Sequence, residues 1–172
     1  KREWSMAELQ SKAEAYCAQA EHCVSEMRDK LRVWGATSAQ ADEVTERLTD
    51  EKYIDEARYC RAFVHDKLLY QGWGRMKMRA ALQAKHLPST YIAAALEDID
   101  ETEYFRILEK VIQKKKGSPE QVIRFCMQRG FALNEFFCSI LGNVSVSRNN
   151  CCLSLEVLSN LCKHTLNKVD KS

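Results

Sequence analysis

The residues best suited to chemistry in this chain are cations. Arg75 and Arg79 stand four apart, with Arg58, Arg61, Lys67, Lys77 and Lys85 close by in sequence. On a helix, two like charges at that spacing repel by about 0.2–0.5 kcal/mol. A bound anion relieves the repulsion, so this set reads as a patch for phosphates or for an acidic protein groove. It reads equally as a solvated helix face. A second set, Lys114, Lys115 and Lys116, closes an apolar-periodic segment, where cations suit the negative end of a helix dipole. Trp73 lies between Gly72 and Gly74. Its ring is either exposed at a turn, ready to stack on a base or a partner, or folded back over a helix joint.

Other chemistries lack their residues. There is no phosphate-cradling Gly-rich loop ending in Lys-Ser/Thr, no Gly-x-Ser-x-Gly elbow and no His-Glu-x-x-His pair. The carboxylates follow capping and helix-surface logic, so no acid or base is assigned and no catalytic residue is expected. Of the eight cysteines, Cys151, Cys152 and Cys162 lie near His164, which invites zinc. The paired Cys-x-x-Cys knuckles of a structural zinc site are missing. Cys17, His22 and Cys23 do not share one helical face. Neither a metal nor a cofactor is expected, and most cysteines read as small buried hydrophobes.

Composition agrees with a soluble protein. The 172 residues are 45% hydrophobic and 29% charged, with a net charge of only +2. That small sum conceals blocks. Residues 40–56 carry seven acids and two bases, and residues 58–86 carry seven bases and one acid. Residues 87–104 then carry five acids and no Lys or Arg, and residues 106–129 seven bases and two acids. Alternating blocks of this kind aim charged faces at different neighbours. No apolar run approaches the roughly 20 residues that span a bilayer. The first residues lead into a charged segment instead of a signal-peptide core, which makes the cytoplasm the expected compartment and leaves no membrane role.

Positioning falls to helices, because the chain has only two prolines and six glycines. Ser5 and Glu8 have capping-box spacing and open a first helix running to about Glu21. Ser25 opens a second that ends at Trp34 before Gly35, and Ser38 a third carrying Ala41, Val44 and Leu48. Asp55 opens a fourth that stops at Gly72. A fifth follows Gly74 with Met78, Ala81 and Leu82 inward, and Pro88 starts a sixth with Ile92, Ala95 and Leu96. Asp100 with Glu103 opens a seventh, whose Tyr104, Ile107, Leu108, Val111 and Ile112 form one apolar face. Ser118, Pro119 and Gln121 begin an eighth, and a ninth covers about Leu133 to Leu141. No segment alternates apolar and polar residues for long, so no sheet is expected.

The nine helices repeat in threes. The second helix of each trio ends alike: LRVWGA at 31–36, LQAKHL at 82–87 and CMQRGF at 126–131, at offsets of 51 and 44 residues. His86 stands where the other two have glycine, so a left-handed turn there carries strain. The expected fold is all-α, with three tandem three-helix repeats at 1–50, 51–99 and 100–141 and an atypical tail at 142–172 that is either a docked helix or a disordered extension. Each repeat alone buries a limited core, so stacking into an elongated, curved molecule is expected.

Several of these stretches carry a resemblance. LTDEKYIDEARY at 48–59, QGWGRMK at 71–77 and LQAKHL at 82–87 resemble the bacterial RecX family, and RFCMQRGF at 124–131 is similar to that family's third repeat. The resemblance covers roughly residues 14–141. It implies a regulatory protein that binds the groove of the RecA filament on DNA; a monomer is expected, apart from the resemblance. Such a protein limits filament growth or promotes disassembly, and so restrains strand exchange, ATP hydrolysis and co-protease activity. It implies contact with single- or double-stranded DNA as well. His86 and residues 142–172 depart from the family's pattern. The basic residues Arg58, Arg61, Lys67, Arg75, Lys77, Arg79, Lys85, Lys114, Lys115 and Lys116 are the expected contact set for partner or DNA. The alternatives are a nucleic-acid-binding helical module acting without RecA, though no recognition helix rich in Asn, Gln and Arg stands out, and a helical scaffold for other proteins.

Overall fold

A computed structural model describes residues 4–141, and every regular element among them is α-helical. The order is α1 (Met6–Cys17), α2 (Val24–Trp34), α3 (Ser38–Asp50), α4 (Glu56–Gln71), α5 (Arg75–Ala84), α6 (Ser89–Glu97), α7 (Glu101–Lys114), α8 (Pro119–Gln128) and α9 (Leu133–Leu141). Side chains start most of these helices. Ser5 with Glu8, Thr37 with Gln40 and Ser118 with Gln121 form reciprocal capping boxes. Asp55 and Asp100 accept from the N–H groups of Arg58 and Glu103 at 2.9 and 2.8 Å. Those backbone bonds, which favour the ionised carboxylate, hold the Asp55 pKa below its ordinary value.

In the first trio, three boundaries differ from the sequence reading. The first helix stops at Cys17 instead of Glu21; the chain then turns so that His22 stacks on Tyr16 at 4.2 Å. The second begins two residues early, at Val24 after Cys23, whose thiol makes no capping bond; Ser25 lies inside the helix. The third is capped by Thr37 in place of Ser38.

The repeat is explicit in the hydrogen bonds. The second helix of each trio ends in the same Schellman closure, with a six-to-one bond from Ala36 to Leu31, Leu87 to Leu82 and Phe131 to Cys126. A five-to-two bond accompanies each, from Gly35 to Arg32, His86 to Gln83 and Gly130 to Met127. The left-handed residue has φ of 96° at Gly35, 61° at His86 and 89° at Gly130, so His86 does adopt the strained conformation its position requires. Leu31, Leu82 and Cys126 are buried at equivalent places, as are Leu87 and Phe131 after the turn.

The described residues pack as two compact units, 4–65 with Arg79–Asp98 and Asp66–Met78 with 99–141, so α4 and α5 each contribute to both. In the first, Leu9, Ala13, Met27, Leu31, Ala41, Val44, Leu48 and Ile54 form one apolar core, with Trp4, Tyr16 and Trp34 at its margin. In the second, Tyr104, Phe131 and Phe136 are among the largest fully buried side chains. Tyr104 and Phe131 pack with ring centroids 5.4 Å apart. Cys23, Cys60 and Cys126 are buried, while Cys17 and Cys138 are half-buried. Burial pushes the Cys60 and Cys126 thiols up to about 11, so both stay protonated at neutral pH. The tail at 142–172, with Cys151, Cys152, Cys162 and His164, lies outside the described residues. No group of His, Cys, Asp and Glu able to hold a metal occurs among the described ones.

Candidate functional site

The Gly72-Trp73-Gly74-Arg75 turn is the best-defined construction in the second unit. The Gly74 N–H donates to the Arg129 carbonyl at 2.8 Å, and the Met76 N–H donates to the Gly130 carbonyl at 3.0 Å. The two backbones approach so closely that a Cβ on Gly74 would lie 2.3 Å from the Gly130 carbonyl, and one on Gly130 would lie 2.4 Å from the Lys77 nitrogen. Only glycine fits either place. Arg129 adds a guanidinium bond to the Gln71 carbonyl and stacks 4.9 Å over Phe125. The motif is therefore first of all a joint between the α4–α5 turn and the α8–α9 turn.

Arg75, the first residue of α5, closes that joint. Its guanidinium donates to Glu101 at 2.9 Å and to Glu135 at 3.1 Å, and lies 3.8 Å over the Tyr104 ring. The Tyr104 hydroxyl accepts from the Arg75 N–H at 3.2 Å and donates to Glu135 at 2.9 Å. Glu135 also takes the Ala132 N–H at 2.8 Å, capping α9. Burial, together with the neighbouring Glu135 carboxylate, drives the Tyr104 pKa upward, so the hydroxyl keeps its proton. This corrects one sequence expectation. Arg75 and Arg79 do not form an exposed pair awaiting an anion: the Arg75 side chain is 17% exposed and its charge is met by two carboxylates of the chain itself.

The remaining candidate cations divide by unit. In the first, Arg61 and Arg79 are exposed. Arg58 pairs with Glu21 at 2.6 Å and bonds weakly to the Lys52 and Tyr53 carbonyls. Lys85 donates to Glu26 at 2.6 Å, and Glu26 also accepts from the Tyr59 hydroxyl at 2.8 Å and lies 3.4 Å from His22. Burial alone would raise the Glu26 pKa, but the bonds from Lys85 and Tyr59 outweigh it and hold the carboxyl below its ordinary value. Arg58 and Lys85 are thus engaged in holding the fold.

In the second unit, Lys67 and Lys77 place their ammonium groups 5.0 and 4.4 Å over the Trp73 ring, which is half-buried. The ring does not stand bare at the turn: its face carries the chain's own cations. Lys114, Lys115 and Lys116 are exposed at the end of α7, as the dipole argument requires, and Lys115 also sits 5.5 Å over Phe125. Sequence reasoning missed Glu26, Glu101 and Glu135, the carboxylates that neutralise Lys85 and Arg75. Their partners lie 26 to 60 residues away, beyond any local pattern.

The family model described as the second three-helix domain of RecX matches residues 55–96. The regulatory protein RecX of Chlorobaculum tepidum is 30% identical over 115 residues, covering 64% of this chain and 72% of that protein. That of Pseudomonas entomophila is 30% identical over 124 residues, covering 67% and 79%. A crystal structure of RecX from Lactobacillus salivarius superposes with a TM-score of 0.67 at 16% identity, covering 80% of this chain and 95% of that one. A second crystal structure of a regulatory protein RecX gives 0.65 at 17%, covering 77% and 71%. At such identities the superpositions establish the fold.

Proposed function

This chain belongs to the RecX family of regulatory proteins, and on that basis we propose that it binds the RecA filament on DNA and restrains RecA activity without catalysis of its own. The observation that supports this most is the family match over residues 55–96, which contains the Gly-Trp-Gly-Arg joint and its flanking cations. The proposed contacts are the exposed Arg61 and Arg79 in the first unit and the exposed Lys114, Lys115 and Lys116 in the second, together with the half-buried Lys67 and Lys77 on the Trp73 face. Arg58, Arg75 and Lys85 act indirectly, by holding helices in place. The cytoplasm is the proposed compartment and a monomer the proposed state. DNA contact is weak and secondary to the filament.

Co-sedimentation with preformed RecA filaments on single-stranded DNA tests the reading. The chain should pellet with the filament, and Arg61→Glu with Arg79→Glu should abolish this at unchanged helix content. Retention that needs only bare DNA, and is indifferent to RecA, would count against it.

A further inference from the structure

The second unit contains a pocket of which the regulatory reading uses only Lys114. It encloses about 330 Å³ between the end of α4, α7 and α8. Three cations from α7, Arg106, Lys110 and Lys114, line it, spaced four residues and so about 6 Å apart along the helix. Arg129 adds a fourth from the end of α8. No Asp or Glu lines the pocket. Arg106 reaches Glu103 at 2.8 Å on the open surface; Lys110 and Lys114 have no carboxylate partner among the described residues. Leu69, Ile107 and Val111 give it apolar walls, and Tyr70, 80% exposed, stands at its edge. Glu103 answers Arg106, and the Gln71 carbonyl and Phe125 ring engage Arg129, but Lys110 and Lys114 face the pocket with no acid to offset their mutual repulsion.

We propose that this pocket binds a free nucleoside polyphosphate, with its phosphates on Arg106, Lys110 and Lys114 and its base against the Tyr70 ring. The volume falls at the lower end of ordinary small-ligand pockets, enough for one nucleotide. Charge decides between a free nucleotide and a strand. A strand brings one negative charge per phosphodiester, so one nucleotide of it would answer only one of the two lysines, Lys110 and Lys114, that have no acid. A terminal phosphomonoester alone carries about −1.5 to −2, and each further phosphate adds another charge. Guanidinium and ammonium groups suit such oxygens. An exposed aromatic ring with no ring partner among the described residues suits a base.

Calorimetric titration of the full chain with ATP tests this, with tripolyphosphate, adenosine and a short oligothymidylate as parallel arms. ATP should bind saturably at one site, and adenosine should give no measurable heat. Changing Lys110 and Lys114 together to Glu should weaken ATP at least tenfold, with fold checked by thermal melting; the paired change to Gln serves if the acidic variant fails to fold. Tyr70→Ala should weaken ATP about fivefold or more and leave tripolyphosphate unchanged. Three results would overturn the proposal: no ATP binding, ATP binding indifferent to the lysine changes, or oligothymidylate binding that the lysine changes abolish and ATP does not displace.

Discussion

Replacing Arg75 by Ala removes two carboxylate bonds and a ring contact at once. The magnitude follows from exposure. Glu101 is 42% exposed, so its pair with Arg75 contributes under about 1 kcal/mol. Glu135 is 15% exposed, and the Arg75 side chain is 17% exposed, so that pair is largely withdrawn from water. Deleting one partner of a buried pair costs about 3–5 kcal/mol, because the other charge is stranded. Here Glu135 keeps the Tyr104 hydroxyl and the Ala132 N–H, which softens the loss. A destabilisation of about 2–3 kcal/mol is expected. With an m-value of about 1.5 kcal/mol/M, the urea midpoint should fall by about 1–2 M. Trp73 lies within Asp66–Met78, so in a Trp4→Phe, Trp34→Phe background its fluorescence reports the unit that holds Arg75. Arg75→Lys should lose about 1 kcal/mol, keeping the charge but not the planar fork. Arg79→Ala, on an exposed side chain, should stay within about 0.5 kcal/mol. If Arg75→Ala proves as mild as Arg79→Ala, the joint does not depend on this residue and the division between structural and outward cations fails.

Other outcomes follow from the same geometry. His86→Gly should stabilise the chain by about 0.5–1 kcal/mol, since relief of a left-handed φ of 61° exceeds the added unfolded-state entropy; chemical denaturation measures it. Gly74→Ala should destabilise by about 2–4 kcal/mol, because its Cβ would lie 2.3 Å from the Gly130 carbonyl and two backbone hydrogen bonds would break. Acid titration probes Glu26. Its pKa is lower folded than unfolded, so its stabilisation is complete above the unfolded value of about 4.3 and is lost as pH falls through the folded value. Between about pH 5 and pH 3, Glu26→Gln should therefore show a flatter loss of stability than the parent chain.

Much of the fold was written locally. Ser5, Asp55, Asp100 and Ser118 each start a helix through a bond three residues long, and the turn glycines Gly35 and Gly130 close theirs. The triple Schellman closure was visible because the turn residue and its apolar neighbours recur at matched positions. Where local signals were silent, boundaries moved: Cys23 offers no capping oxygen, and nothing after Cys17 marks a stop. The site was less legible. A basic stretch shows charge but not which charges are answered, and Arg75 and Lys85 find their carboxylates on helices distant in sequence. Glu135 offered one signal, an acid in the first turn of α9, though nothing near it pointed to Arg75.

The proposed restraint of RecA is read most directly in RecA's own activity. DNA-dependent ATP hydrolysis by RecA, measured while this chain is titrated in, addresses it without intermediaries. Hydrolysis should fall at substoichiometric amounts of the parent chain and persist with Arg61→Glu and Arg79→Glu combined. An ATPase rate that stays flat across a full titration of folded parent chain would contradict it.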